Sequence, residues 1–302
     1  MSLARAAARA IWVLALALAA CSRPAPPVAP GQRLAVLAPA AAETLVLLGA
    51  TDRVVAVGDW VTWPPEIAAK PKLGAYDEPS RERLLELGVD TLVTSASVAG
   101  RAGREELERL GIRVVEFETD TFAGALEGIE TVGALVGREP EAARLVAGVR
   151  ARVAAVAAGV AEAPRVRALV VVGRDPLFVA GPGSYLDELV RLAGGENVAA
   201  DAGAPWAMVS LEAMLARRPE VILDTSENRP GAPRGALAGD WARWPFLPAV
   251  AAGRVHFVDP ALLAIPGPRL GEMSERMARF LHPERFGAPR QDDHAAATSE
   301  GP

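Results

Sequence analysis

The longest helical pattern in the chain runs from Pro140 to Val160. Apolar side chains recur there at three- and four-residue spacing, while Arg144, Arg150 and Arg152 fall off that stripe. Pro140 suits the first turn of a helix, because its missing N–H would have no partner there. A helix of this length extends roughly 30 Å, so we predict a stiff rod and not a flexible linker. The apolar positions are Ala142, Leu145, Val146, Val149, Val153, Val156 and Val160.

Strand patterns alternate with helix patterns on both sides of this rod. Taken alone, the rod would also fit an ordinary surface helix. The two similar flanking blocks instead predict an α/β fold of two similar lobes with mainly parallel sheets, joined by one long backbone helix. Such a fold places a ligand cleft between the lobes, at the carboxyl ends of the strands. The predicted strands are Arg33–Ala38, Val54–Gly58, Asp90–Thr94, Arg113–Glu118, Arg167–Val172, Val221–Asp224 and Arg254–Val258. The predicted helices of the lobes are Glu43–Leu48, Arg81–Leu87, Gly103–Gly111, Thr121–Gly137, Tyr185–Ala193, Leu211–Arg217 and Gly271–Leu281.

An internal repeat supports the two-lobe organisation. The segment from Glu82 to Val93 aligns with Glu212 to Leu223 without a gap, and each begins a helix with a glutamate and continues into an apolar strand. A weaker echo relates residues 47–54 to residues 191–198. We therefore divide the chain into residues 1–20 (signal peptide), 21–32 (Pro-rich tether), 33–137 (N-terminal lobe), 138–162 (backbone helix), 163–286 (C-terminal lobe) and 287–302 (disordered tail).

The first residues predict export and lipid attachment. Arg5 and Arg9 precede an apolar run that is too short to cross a bilayer as a helix. Small residues then lead to Cys21, the only cysteine of the chain, in an arrangement that resembles the lipobox of bacterial lipoproteins. We expect acylation of Cys21 and an exported lipoprotein facing the periplasm or the cell exterior. The alternative is an ordinary secretory signal followed by a chance cysteine.

Composition excludes some classes of function. The net charge is −5 and no basic cluster occurs, which argues against nucleic-acid binding. The three histidines, His256, His282 and His294, form no metal-binding pair, and no HExxH sequence or nucleophile elbow is present. We therefore predict no catalytic residue, no metal site, no cofactor and no enzymatic activity. A lipoprotein hydrolase would require a nucleophile beside His256, and a receptor for free metal would require several converging histidines and carboxylates.

Aromatic residues in predicted loops suggest a binding cleft instead. Trp60, Trp63, Tyr76, Phe178 and Trp206 all stand next to predicted strand ends. Each alone also fits packing between lobes, because tryptophan favours sites where a large ring is buried and its N–H stays wet. Together they suit a flat, largely apolar small molecule with a polar rim.

Glu82 and Glu212 begin the two repeated helices. A carboxylate is favoured at that position by the helix dipole, which is a sufficient structural reason for both. Their equivalent placement also allows them to meet two basic patches of a two-fold symmetric partner.

The chain resembles the class III periplasmic substrate-binding proteins, the helical-backbone receptors for cobalamin, iron-siderophores and haem that feed ABC importers. The resemblance covers roughly residues 33–281, and is strongest to the cobalamin-binding members. It rests on Leu37-Ala38-Pro39 with Glu43, Val57-Gly58, Trp63-Pro64-Pro65, Leu73-Gly74, the segment 192–198, Pro205-Trp206 and Val209-Ser210-Leu211-Glu212.

The resemblance implies a receptor that binds cobalamin or a related corrinoid and delivers it to a permease dimer with its ATPase. It implies ligand contacts by Trp60, Tyr76 and Trp206, and permease docking by Glu82 and Glu212. Ser95 and Val172 stand where the cobalamin-binding members have aromatic pocket residues, so a ferric siderophore or haem stays open as the ligand. Arg174 and Arg229 are candidate contacts for an anionic ligand. The ligand-site prediction comprises Trp60, Trp63, Tyr76, Ser95, Phe178 and Trp206.

Overall fold

Four parallel strands form the sheet of the N-terminal lobe. The computed structural model describes residues 32–74, 79–95, 100–174, 176–226, 241–290 and 293, without the side chains of 100–102, 261 and 262. The strand order is β2-β1-β3-β4, and every pairing is parallel. The strands are β1 Leu34–Val36, β2 Val54–Val57, β3 Thr91–Ser95 and β4 Arg113–Phe117. The helices are α1 Pro39–Leu47, α2 Pro65–Ala68, α3 Arg81–Glu86, α4 Gly100–Arg109 and α5 Phe122–Leu135.

The predicted rod is confirmed as α6, which spans Glu139–Gly159. Its stripe of small and branched apolar side chains is buried, whereas Arg144, Arg150 and Arg152 are exposed. The helix packs between α5 and a C-terminal helix, α11 (Leu270–Leu281). Arg152 of α6 forms an ion pair with Glu275 of α11, at 2.7 Å, which links these two helices. The rod is therefore a packed element of the core.

The C-terminal lobe contains a mixed sheet of six strands. Its order is β10-β9-β5-β6-β8, with β7 also paired to β5. All pairings are parallel except β5 with β6 and β6 with β8. The strands are β5 Val166–Arg174, β6 Leu177–Ala180, β7 Gly195–Asn197, β8 Trp206–Met208, β9 Val221–Asp224 and β10 Val255–Phe257. The remaining helices are α7 Tyr185–Leu192, α8 Leu211–Ala216, α9 Pro248–Ala251, α10 Pro260–Leu263 and α12 Pro283–Phe286.

The internal repeat is visible in the topology. The parallel strands β7-β5-β9-β10 follow the same order as β2-β1-β3-β4. The helices α3 and α8, which precede β3 and β9, begin in the same way. The hydroxyl of Ser80 accepts a hydrogen bond from the N–H of Arg83, and that of Ser210 accepts one from Ala213. The lobes are thus two copies of one α/β unit, and the fold prediction is confirmed.

Two predicted loops are strands. Phe178 lies in β6 and Trp206 in β8, which pair with each other in an antiparallel ribbon at the edge of the sheet. These strands have only four and three residues, so they carry too few side chains for an alternating pattern to be recognised. Helix α1 also begins earlier than predicted, at Pro39, because a proline is well suited to the first turn.

Asp293 lies in the segment 287–302, for which the sequence predicts disorder, but its side chain has fixed contacts. Its side chain is buried between Arg276 and Arg279 of α11, with both ion pairs at 2.7 Å. Polar composition alone does not reveal such a contact, because it depends on the two arginines facing the same point. Among the described residues, none of the helices combines the length and the apolar composition that a membrane span requires. The boundaries of the predicted segments stay predictions.

Candidate functional site

A cleft of about 410 Å³ lies where the two lobes meet. The N-terminal lobe supplies Trp60, after β2, and Thr119 and Asp120, after β4. The C-terminal lobe supplies Trp206 and, after β9, Thr225. Because parallel strands end at the same edge of a sheet, the loops after them converge here, as in other open α/β folds. The other lining residues are Val172, Tyr185, Leu186, Ser226, Pro260, Leu263, Ala264 and Pro266.

A second pocket of about 260 Å³ adjoins this cleft. Trp60 and Thr119 line both, so the pockets share a wall. The second pocket is otherwise formed by the N-terminus of α1, the end of β3 at Ser95, and the segment after α10. Ser95 is thus placed beside Trp60, but in the smaller, largely apolar space.

Trp206 is held by hydrogen bonding and by ring packing. Its indole Nε1 donates to Oδ1 of Asp120, at 2.9 Å, so a residue of the C-terminal lobe is bonded to the N-terminal lobe. Its ring meets the ring of Tyr185 edge-on, with centroids 5.6 Å apart. The backbone carbonyl of Asp120 also accepts from the N–H of Tyr185, at 2.9 Å. Asp120 therefore joins the two lobes through two bonds at the cleft.

Tyr185 is buried behind Trp206 and is not free to ionise. Its hydroxyl donates to the carbonyl of Leu263, at 2.7 Å. Burial, and then the negative charge of Asp120, raises the pKa of Tyr185 far above its ordinary value. The phenol stays protonated at physiological pH, so it is poorly suited to binding ferric iron as a phenolate.

Trp60 stands on the opposite wall with 57% of its surface exposed. Its loop is nevertheless anchored, because Lys72 donates to the carbonyl of Val61, at 2.7 Å. The N–H of Gly58 bonds to Val36 of the neighbouring strand, at 2.9 Å. The ring is therefore an exposed flat surface on a fixed base, available for stacking.

The other predicted ligand residues lie elsewhere or cannot be placed. Trp63 lies under the guanidinium of Arg269, 5.1 Å from its ring centroid, and lines neither pocket. Phe178 pairs across the ribbon with exposed Met208 and is likewise absent from both linings. Tyr76 lies outside the described residues. The structure thus brings together Trp60, Trp206 and Ser95, and it separates Trp63 and Phe178 from them.

Arg174 is engaged within the C-terminal lobe. Its Nε donates to Oδ2 of the buried Asp224, at 2.8 Å, and the same oxygen accepts from Nε1 of Trp241, at 2.7 Å. Its guanidinium lies 5.6 Å from the ring centroids of both Trp241 and Phe257. This charge is neutralised by Asp224 and does not line the cleft. Arg229 lies outside the described residues.

The glutamates predicted to dock are exposed on equivalent helix ends. Glu82 lies in the first turn of α3 and Glu212 in the first turn of α8, each two residues after its capping serine. Both residues are exposed to solvent. Each lobe therefore presents one carboxylate at the same topological position.

The histidines offer no second site in the described part of the chain. The His256 ring packs 4.8 Å from that of Phe280, and buried His282 bonds to the carbonyl of Gly194, at 3.2 Å. Neither lines the cleft, and His294 lies outside the described residues. The described residues contain no cluster of three side chains suited to a metal ion.

Sequence reasoning missed Asp120, Tyr185 and Thr225. Asp120 and Thr225 follow strands β4 and β9 directly, so position after a parallel strand was an available signal. Tyr185 begins α7 and gave no such signal. It reaches the cleft because α7 packs against β7 and α11.

Sequence comparisons identify related proteins. The family model described as "Periplasmic binding protein" matches residues 34–262. A cobalamin-binding protein of Halobacterium salinarum is 30% identical over 257 residues, which cover 83% of this chain and 69% of that protein. YvrC of Bacillus subtilis, an uncharacterized ABC transporter substrate-binding lipoprotein, is 26% identical over 269 residues, which cover 84% of this chain and 81% of that one.

Solved structures share the fold. The periplasmic vitamin B12 binding protein BtuF of Vibrio cholerae matches with a TM-score of 0.72 and 24% identity, covering 83% of this chain and 97% of that one. The periplasmic haem-binding protein BhuT, in complex with two haems, matches with a TM-score of 0.73 and 26% identity, with the same coverage of 83% and 97%. With its two lobes, its backbone helix and its family match, this chain belongs to the class III periplasmic binding proteins.

Proposed function

We propose that this chain is a lipid-anchored substrate-binding protein of an ABC importer, which captures cobalamin or a related corrinoid and delivers it to a permease dimer. The observation that carries the proposal is the pair of indole rings, Trp60 and Trp206, which line one cleft from different lobes. The protein would act by binding and release alone, without catalysis.

The ring pair suits a macrocycle for a physical reason. Indole faces stack on flat conjugated systems, and such contacts are worth about 0.5–1.5 kcal/mol beyond the apolar area that they bury. Trp60 offers an exposed ring, and Trp206 is oriented by Asp120 and Tyr185. Hydroxyls of Thr119, Thr225 and other lining residues are placed to meet a polar rim. The similarity to the cobalamin-binding protein of Halobacterium salinarum supports the same choice of ligand.

Calorimetric titration of the purified chain with cobalamin, haem and a ferric siderophore tests this function. We expect saturable one-to-one binding of cobalamin, weakened at least tenfold by Trp60→Ala or Trp206→Ala. The matched control is Phe246→Ala, which removes an exposed aromatic residue that lines neither pocket. Binding to none of the three ligands would overturn the proposal, and so would equal loss in the control.

Permease docking is assigned to Glu82 and Glu212. Two exposed carboxylates on equivalent helix ends match the symmetry of a homodimeric partner with one basic patch per subunit. The double variant Glu82→Ala with Glu212→Ala is expected to abolish uptake and keep cobalamin affinity. Glu86→Ala, an exposed glutamate at the other end of α3, serves as the control. Equal loss of uptake and of ligand binding would contradict a docking role.

Export and anchoring are assigned to the N-terminal segment, which lies outside the described residues. The similarity to YvrC, named a lipoprotein, supports acylation at Cys21. Cys21→Ala is expected to move the protein from the membrane fraction to the soluble fraction of the cell envelope. An unchanged distribution, with no acyl group on Cys21 by mass spectrometry, would contradict it.

Haem is the second candidate ligand, favoured by the likeness to BhuT, whose structure holds two haems. The absorbance spectrum of the purified protein separates the two, because bound haem gives a strong Soret band and bound cobalamin does not. The protonated, hydrogen-bonded phenol of Tyr185 is the wrong state for an axial ligand to haem iron.

A further inference from the structure

The cleft has an unusual balance of charge. Asp120 is the one charged side chain among the described residues that line the two pockets. Its Oδ1 accepts from Trp206, and no other side chain in the described part of the chain donates to that carboxylate. The cationic groups of Arg174 and Arg269 are paired with Asp224 and Glu43 and line neither pocket. Among the described lining residues, a ligand in the cleft therefore meets one negative charge, that of Asp120, and no positive charge.

Three hydroxyl groups of the lining have already used their donor hydrogens within the protein. The hydroxyl of Tyr185 donates to Leu263, that of Thr225 to Val171, and that of Ser226 to Asp224. Each hydroxyl oxygen keeps a lone pair that can accept a further hydrogen bond. Trp206 Nε1 is likewise occupied by Asp120. The wall thus offers acceptors, and the free hydroxyls of Thr119 and Ser95 are its remaining neutral side-chain donors among the described lining residues.

An acceptor-rich wall with a single carboxylate discriminates by the chemistry of a ligand's rim. Primary amides supply N–H donors that match these oxygens. Carboxylates supply no donor and bring negative charge towards Asp120, and buried acceptors that face other acceptors lose their hydration without compensation. Among macrocycles of the same size and metal, the cleft should therefore bind those with amide groups at the edge more tightly than those with carboxylates.

We propose that Asp120 is a specificity-determining residue, which with the surrounding acceptors selects amide-rimmed tetrapyrroles and rejects carboxylate-rimmed ones. This inference rests on the proposed function, since it assumes that a tetrapyrrole enters the cleft. It adds that the ligand is selected by the chemical groups at its edge and not by its flat shape alone. The same carboxylate also orients Trp206, so the variant that tests charge must keep an oxygen at this position.

The test uses two corrins that differ only at the periphery. Dicyanocobinamide carries amides around the ring, whereas dicyanocobyrinic acid carries carboxylates. We expect the wild-type chain to bind the amide form at least 100-fold more tightly in low salt. Asp120→Asn keeps an acceptor oxygen for Trp206 and removes the charge, so this preference should fall about tenfold, mainly through tighter binding of the carboxylate form.

Asp59→Asn is the matched control, because it removes an exposed carboxylate beside Trp60 that lines neither pocket. It should leave the preference unchanged, and thermal melting should show that both variants are folded. Cobinamide binding with the same preference in wild type and Asp120→Asn would overturn the role of Asp120 and leave the proposed function standing. A wild-type chain that prefers cobyrinic acid would also overturn it. Failure to bind either corrin would overturn the inference and the proposed function together.

Discussion

Two residue pairs join the lobes by polar bonds, in addition to the apolar core that the lobes share. Asp120 bonds to Trp206, and Arg269, which precedes α11, bonds to Glu43 of α1. Glu43 is almost fully buried, with its Oε2 2.9 Å from Nε of Arg269. Burial raises the pKa of Glu43 above its ordinary value, and the charge and hydrogen bonds of Arg269 oppose that rise. The ion pair between Arg269 and Glu43 thus fixes the C-terminal segment to α1, and separating the two residues would leave a buried charge without its partner.

Arg269→Met should destabilise the fold by about 3 kcal/mol at pH 7, because it leaves a buried carboxylate without its cation. The pKa of Glu43 should rise further in the variant. A carboxyl with a raised folded-state pKa holds its proton more tightly when folded, so its contribution to stability falls as pH rises above about 4.5. The deficit of the variant should therefore shrink between pH 7 and pH 5 in urea unfolding.

The double variant Glu43→Gln with Arg269→Met is the control for this pair. It removes both charges, so most of the lost stability should return and the pH dependence of the deficit should disappear. A deficit that is the same at both pH values, or that persists in the double variant, would show that Arg269 acts through packing on Trp63 instead.

Among the elements, the two sheets and the long helix could be predicted from the sequence. Each shows a hydrophobic pattern that extends over more residues than a chance arrangement would. The repeat from Glu82 to Val93 predicted equivalent helices and strands, and their serine caps and strand order confirm it. The ribbon of β6 and β8 could not be predicted, since its pairing depends on distant residues and its strands are short.

The candidate site was predictable only in part from sequence. Trp60 and Trp206 were found as aromatic residues beside strand ends, and they do share a cleft. Trp63 and Phe178 satisfied the same criterion and do not line it. Trp63 instead packs against Arg269, and Phe178 lies on a short edge strand opposite Met208. Neither contact leaves a local signal in the sequence.

Helix α11 gives a prediction at this scale. Burial pushes the pKa of Asp293 up, but hydrogen bonds from Arg279 and the N–H of Arg290, with the charges of Arg279 and Arg276, outweigh it and lower that pKa. A carboxyl with a lowered folded-state pKa stabilises the fold above its ordinary value near 3.8 and loses that effect as pH falls through the lowered value. Asp293→Asn should therefore cost about 1–3 kcal/mol at pH 7.

Urea unfolding at pH 7 and below pH 3 checks this, and the difference between wild type and Asp293→Asn should narrow at the lower pH. Asp201→Asn is the comparison, because Asp201 also pairs with an arginine but is exposed, and its loss should matter much less. Equal effects of the two substitutions would contradict a stabilising role for the buried Asp293.

At the scale of the whole molecule, the lobes are connected by a helix that is itself packed. Helix α6 contacts α5 on one side and α11 on the other, and residues from Gln32 onwards form one compact unit. A hinge that had to bend α6 would break many backbone hydrogen bonds at once. The two bonds of Asp120 further restrict opening at the cleft.

We therefore expect only a small closure when ligand binds. Small-angle X-ray scattering of the free and cobalamin-bound protein should give nearly superimposable curves and radii of gyration. A large decrease in the radius of gyration on binding would show that the lobes rotate as free domains, contrary to the role given to α6.

A crystal structure of the chain with bound cobalamin would show whether the ligand occupies the cleft between Trp60 and Trp206. We expect the corrin ring between these two indoles, with amide groups of its rim donating to Asp120 and neighbouring hydroxyl oxygens. A corrin bound outside this cleft, or one that contacts neither indole, would rule out the proposed binding mode.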